Sequence, residues 1–111
     1  MPRAATTLDP FNAVAEPKRR RVLEALASRE MPVNDLVASL GWPQPMVSKH
    51  LGVLKQVGLV SMRRDGRQRL YKLDADKLKP IHDWAKTFER FWDQQLRQIK
   101  EKAERKSRGQ S

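Results

Sequence analysis

Two groups of side chains in this chain have the types and spacing for chemistry on a polyanion. The first lies in the run LGWPQPMVSKHLGVLKQVGLV, residues 40–60. At 100° per residue, Val47, Leu51 and Leu54 share one stripe. Pro45, Ser48, Lys49, Gly52 and Gln56 lie on the opposite arc, with no acidic residue among them. A hydroxyl, an amide and a cation on a slim face suit the hydrogen-bonding edges of base pairs in a major groove. An ordinary amphipathic core helix would carry the same apolar stripe, so this helix alone leaves both readings open. The second group is cationic. Between Leu59 and Leu73, Arg63, Arg64, Arg67, Arg69 and Lys72 face Asp65 alone, which concentrates a net +4 of the chain's formal +10. Guanidinium groups crowded in this way fit phosphates or the focused negative potential of a narrow minor groove. Edge-strand charges that discourage aggregation are the alternative.

The elements that must position these groups follow from the rest of the pattern. Asp9 at an N-cap and Pro10 at the first helical position open a short helix carrying Phe11, Val14 and Ala15. Glu16 and Pro17 open a second helix, which turns Val22, Leu23 and Leu26 inward and leaves Arg20 and Arg21 off that face. The run Lys18 to Arg21 fits either phosphate contact or a solvated helix face. Met31-Pro32-Val33 is a short extended link. Val33, Leu36, Val37 and Leu40 then give a three-turn helix stopped by Gly41. Trp42-Pro43 makes a tight turn, with the Trp42 ring packed as an anchor, into the helix spanning 44–57, so the pair forms a helix-turn-helix. Gly58 ends that helix. A switch to period two follows over 60–73: Val60 and Met62 share a face of one strand, Tyr71 and Leu73 a face of the next. Asp65-Gly66 provides the hairpin turn, and Leu70 is out of phase, which fits a bulge or packing on both faces. From Ala75 to about Lys106 the helical period returns. Leu78, Ala85, Trp92 and Ile99 recur every seven residues, with Ile81, Trp84, Phe88, Phe91 and Leu96 widening the stripe. That apolar surface exceeds what one small domain hides, so a partner helix from a second copy is the simplest cover; a ligand pocket is the other reading.

Composition bounds the reading. The fold class is mainly α with a small β-hairpin. Residues 8–106 form one winged domain between disordered tails at 1–7 and 107–111. A formal charge of +10 and a pI near 10.5 imply a polyanion, nucleic acid before membrane. A hydrophobic content of 39% is enough for a core. There is no cysteine, hence no disulfide or thiolate metal site. No apolar run approaches a membrane span and no signal-peptide core is visible, so the expected location is cytoplasmic. No nucleophile–base pair, paired carboxylates or phosphate loop stands out, and no enzyme activity or cofactor is expected.

AEPKRRRVLEALA, PVNDLVASLGWPQPMVSKHLGVLKQVGLV and RRDGRQRLYKL together resemble the ArsR-type winged-helix transcriptional repressors. The resemblance covers roughly residues 8–92 and implies a homodimer that binds a palindromic operator on double-stranded DNA. Carried onto this chain, it points to Gln44, Pro45, Ser48 and Lys49 at the start of the recognition helix and to Arg63, Arg64, Arg67 and Arg69 on the wing. His50, at the edge of the apolar stripe, fits either a buttress or a DNA contact. The terminal helices are expected to make the dimer interface through Phe11, Ile81, Trp84, Phe88, Phe91 and Trp92. Metal-sensing relatives use a cysteine pair, or Asp and His ligands along the last helix. This chain departs from both, since it offers there only His82, with Asp83 beside it and Glu89 two turns away. No metal site is expected, and the chain looks like the metal-independent branch. Its readings in order are a sequence-specific repressor, a winged protein–protein module and a nonspecific architectural DNA binder.

Overall fold

The computed structural model describes residues 9–109, which divide into two compact units at Lys79–Pro80. The expected tail at 1–7, together with Leu8 and residues 110–111, lies outside the described residues.

The first unit begins with α1 (Pro10–Ala15), where the Asp9 carboxylate accepts the Asn12 N–H at 2.8 Å. This helix is too short to hold itself. It is tied down through its last carbonyls: Arg19 Nε donates to Ala13 O at 2.7 Å and Arg20 Nη1 to Val14 O at 2.6 Å. Ala13 is the residue it buries; of the apolar residues read from the sequence, Val14 is half-buried while Phe11 and Ala15 are exposed. Helix α2 (Pro17–Leu26) starts at Glu16, whose carboxylate accepts the Lys18 N–H at 3.1 Å. Its Val22, Leu23 and Leu26 enter the core as expected. There they meet Leu36 of α3 (Val33–Leu40), Val47, Leu51 and Leu54 of α4 (Gln44–Gln56), and Leu59 and Val60 beyond it. Leu36, Leu51 and Leu54 are fully enclosed, so cutting any of them to Ala costs about 2–5 kcal/mol. Gly41 (φ +70°) and Gly58 (φ +85°) close α3 and α4 in the left-handed region, where a Cβ would be strained.

The sheet has three antiparallel strands in the order β1-β3-β2, rather than a lone hairpin. The link at Met31–Pro32 is β1, and it pairs with Tyr71 and Leu70 of β3 (Gln68–Leu73). β2 (Val60–Asp65) pairs with β3 without a bulge, from Val60–Leu73 to Asp65–Gln68. The apolar alternation holds, since Val60, Met62, Tyr71 and Leu73 share a face. Leu70 is buried on the opposite face, where Pro32 and Arg63 flank it in the ladder; this is the two-sided packing its phase allowed. The two turn residues are Gly66 and Arg67, not Asp65 and Gly66, because Asp65 is already paired with Gln68. A 3₁₀ turn at Ala75–Leu78 ends the unit, after Asp74 N–H donates to Leu59 O at 2.9 Å.

The second unit holds most of α5 (Lys79–Lys86) and all of α6 (Glu89–Ser107). The sequence pattern predicts one helix from Ala75 to about Lys106; the structure interrupts it at Thr87–Phe88. Thr87 Oγ1 donates to Trp84 O at 2.7 Å, and the Thr87 and Phe88 N–H groups bond three residues back, to Trp84 and Ala85. Those short-range bonds tighten the turn and reset the helical phase, so the heptad through Leu78, Ala85, Trp92 and Ile99 is not one straight seam. Trp92, Leu96 and Ile99 keep their i, i+4, i+7 spacing within α6. At the far end Arg108 N–H donates to Glu104 O and Gly109 N–H to Lys106 O, so the first residues of the expected tail cap α6.

Candidate nucleic-acid interface

Helix α4 presents the side chains that its phase requires. Val47 and Leu51 anchor it from beneath, while Gln44, Pro45, Lys49, Gly52 and Gln56 are exposed and Ser48 is partly so. Gln44 Nε2 donates to Ser48 Oγ at 2.8 Å, which joins the amide and the hydroxyl as one polar patch over the first turn. Pro43 and Pro45 remove competing donors from that turn, and no side chain caps it, so the positive end of the helix stays open.

His50 stands apart from that patch. It is 6% exposed, and its Nδ1 is the one buried side-chain nitrogen or oxygen among the described residues without a hydrogen-bond partner. Its ring meets Trp42 edge-on, with centroids 6.4 Å apart. Burial, and then the nearby Arg19 guanidinium, hold its pKa below the usual imidazole value, and the Glu16 carboxylate opposes them. The ring is therefore packed beside Trp42 rather than displayed with the polar patch. Trp42 itself is half-buried and packs on the core, as its position in the turn predicts.

The wing arginines divide into two kinds. Arg63 Nε and Nη2 grip both oxygens of Glu30 in a bidentate pair, with Nε–Oε2 at 3.1 Å. The guanidinium holds the Glu30 carboxyl below its usual range, and the carboxylate raises Arg63 in return. Arg63 is thus partly neutralised, a role invisible in the sequence because its partner lies 33 residues away. Arg64, Arg67 and Arg69 are exposed, and the ladder sets Arg64 directly opposite Arg69. Two like charges directly opposite each other across a strand pair are destabilising. Arg67 and Arg69 also line a cleft of about 440 Å³ with Pro32, Val33, Asn34, Asp35 and Gln68, beside the first turn of α3.

In the second unit, Trp84 and Phe88 stack edge-to-face at 5.4 Å. Phe88, Trp84, Trp92 and Phe91 are 46% to 62% exposed, more apolar surface than a lone helix leaves in water, while Ile81 is half-buried. Phe11, on the first unit, is exposed at 42%. Among the described residues no three His, Cys, Asp or Glu side chains gather as a metal site needs. Among the same residues no helix is long and apolar enough to cross a membrane.

A tight helix-turn-helix on a three-helix core, followed by a basic β-wing, defines the winged-helix class of regulators. The sequence profile described as "Bacterial regulatory protein, arsR family" matches residues 16–62. The chain is 31% identical over 78 residues to the Transcriptional repressor SdpR of Bacillus subtilis, covering 70% of this chain and 87% of that protein. This chain belongs to the ArsR family. It is also 41% identical over 71 residues to the HTH-type transcriptional regulator KmtR of Mycobacterium tuberculosis, covering 64% of this chain but only 55% of KmtR. The chain thus spans little more than half the length of that relative. Among solved structures, a possible transcriptional regulator for arsenical resistance superposes with a TM-score of 0.66 at 40% identity, covering 74% of this chain and 85% of the other. These relatives are named as regulators and not as enzymes.

Proposed function

We propose that this chain is a homodimeric, sequence-specific DNA-binding repressor that acts on a palindromic operator in the cytoplasm. The observation that carries the reading is the wing tip. Arg64, Arg67 and Arg69 crowd together there with no acidic partner among the described residues, and two of them are set face to face at a cost to the fold. A double helix would offset that cost by replacing repulsion with phosphate contacts. In this reading Gln44, Pro45 and Ser48 approach base edges, Lys49 stands where a cation can reach a base edge or a phosphate, and Arg64, Arg67 and Arg69 supply affinity. Arg63 contributes by holding the wing. The name of SdpR as a repressor favours repression over activation. The apolar face of α5 and α6, with Phe11, supports a second copy of the chain as partner.

Selection of binding sites from random duplex, followed by titration at several salt concentrations, tests the proposal. The expected result is a palindromic consensus bound more tightly than random DNA, with affinity falling steeply as salt rises. Salt-independent or absent binding would favour a protein–protein module, and equal affinity for all duplexes an architectural binder.

A further inference from the structure

A second cleft, of about 420 Å³, opens between the first turn of α2 and the first two turns of α4; Glu16, Lys18, Pro45, Met46, Lys49 and His50 line it. Its lining is cationic on balance, with two lysines against one carboxylate. That carboxylate is already turned onto the Lys18 N–H, and this hydrogen bond is the main reason its pKa lies below the usual value. The cleft also borders the uncapped start of α4.

Within it, His50 is an unusual presence. A side chain more than nine-tenths buried lines an open cleft, with Nδ1 enclosed and unpartnered, so Nε2 is the nitrogen that can meet a ligand. With Nδ1 enclosed, an anion at the cleft can be met only at Nε2, and neutral His50 with its proton on that nitrogen would present Nε2–H to it.

The basic run nearby narrows the choice of cation. Arg19 and Arg20 are spent on the carbonyls of α1, and Arg21 lies 3.8 Å from Glu24. Lys18 alone of the four lines the cleft. The space exceeds a free ion and is open to solvent past the exposed Lys18, Pro45 and Lys49, which suits a phosphodiester held by its neighbours in a strand. We propose that this cleft seats a DNA backbone phosphate flanking the recognition helix, with Lys18 and Lys49 supplying charge and His50 Nε2–H a neutral hydrogen bond. The inference rests on the DNA-binding reading above and assigns a contact on α2 that the helix-turn-helix and wing do not include.

The test uses the full chain, operator and scrambled duplex, and salt titration. Lys18→Ala should weaken both duplexes alike and flatten the salt slope by about 0.9 per protomer. Arg21→Ala, which removes a cation that lies beside Glu24 and does not line the cleft, should leave affinity and slope unchanged. By NMR, with His82→Ala assigning the two histidines, the His50 ring resonances should move on adding duplex and stay still with equimolar inorganic phosphate. An unchanged slope in Lys18→Ala, or a His50 ring indifferent to duplex, would overturn the seat while leaving the regulator intact. Movement with inorganic phosphate but not with duplex would reassign the cleft to a small anion and overturn it equally. If the unmodified chain shows no salt-dependent binding at all, the DNA-binding reading falls, and the seat with it.

Discussion

The two kinds of wing arginine should be separable by salt. Arg67 sits in the hairpin turn with no acidic partner among the described residues, whereas Arg63 is clamped to Glu30. Each lost phosphate contact flattens the plot of log affinity against log salt by about 0.9. Arg67→Ala removes one contact per protomer, or about 1.8 for a dimer. Between about 50 and 200 mM salt this variant should therefore lose roughly 12-fold less affinity than the unmodified protein, on operator and random duplex alike. Arg63→Ala should behave differently. Its cation is already matched by a carboxylate, so the slope should stay nearly constant while overall affinity drops, because Glu30 is left uncompensated near the DNA. Glu30→Gln makes the converse case: it frees Arg63 and should steepen the slope, by at most 0.9 per protomer. Fluorescence anisotropy with labelled duplex across a salt series measures all three. Equal flattening by Arg63→Ala and Arg67→Ala would refute the reasoning, since it would mean that the Glu30 pair opens on DNA.

The other expectations concern assembly, reading, metal and acid. Sedimentation at micromolar concentration should give a dimer, and Trp92→Asp should dissociate it; a stable monomer of the unmodified chain would remove the basis for a palindrome. Ser48→Ala should cost operator binding roughly 1–3 kcal/mol per half-site while sparing scrambled duplex, and an equal loss on both would deny Ser48 a reading role. Stoichiometric zinc should leave operator affinity unchanged, and release of DNA by one equivalent, abolished by His82→Ala, would contradict this. Because burial depresses His50 in the folded state, the unfolded chain binds the extra proton first as pH falls below about 6.5. Stability against urea should then decline from that pH downward and His50→Gln should flatten the decline; an equally steep decline in the variant would contradict the attribution to His50.

Much of the first unit was legible because its signals are local. Caps at Asp9 and Glu16, stops at Gly41 and Gly58, and the periods over 33–40, 44–56 and 60–73 are set by neighbours within a turn or a strand. What escaped depends on distant partners. Nothing near Met31 announces that it will pair with Tyr71, and nothing near Arg63 announces Glu30. The arginines at 19 and 20 read as a surface charge run, yet they serve as hooks for the carbonyls of α1. The interruption at Thr87 was hidden for another reason: the apolar period persists across it, and a single hydroxyl bonding back to Trp84 accompanies the tightened turn. In the candidate interface, spacing could place Ser48 and Lys49 outward, but only packing could put His50 behind them.

The unequal strands of the sheet have a mechanical consequence. β1 reaches only Tyr71 and Leu70, so the base of the wing is three strands wide. Beyond Leu70 only two strands continue to the turn at Gly66 and Arg67, an overhang of about three residues, or roughly 10 Å. A two-stranded ribbon of that length is compliant by itself. The wing is therefore a cantilever, stiff where it joins the core and springy where it carries Arg64, Arg67 and Arg69. Such a tip can bend to follow grooves of different width while its root keeps the recognition helix in register. Hydrogen exchange should grade accordingly, slow at Tyr71 and fast at Gln68, with the change falling at the end of β1.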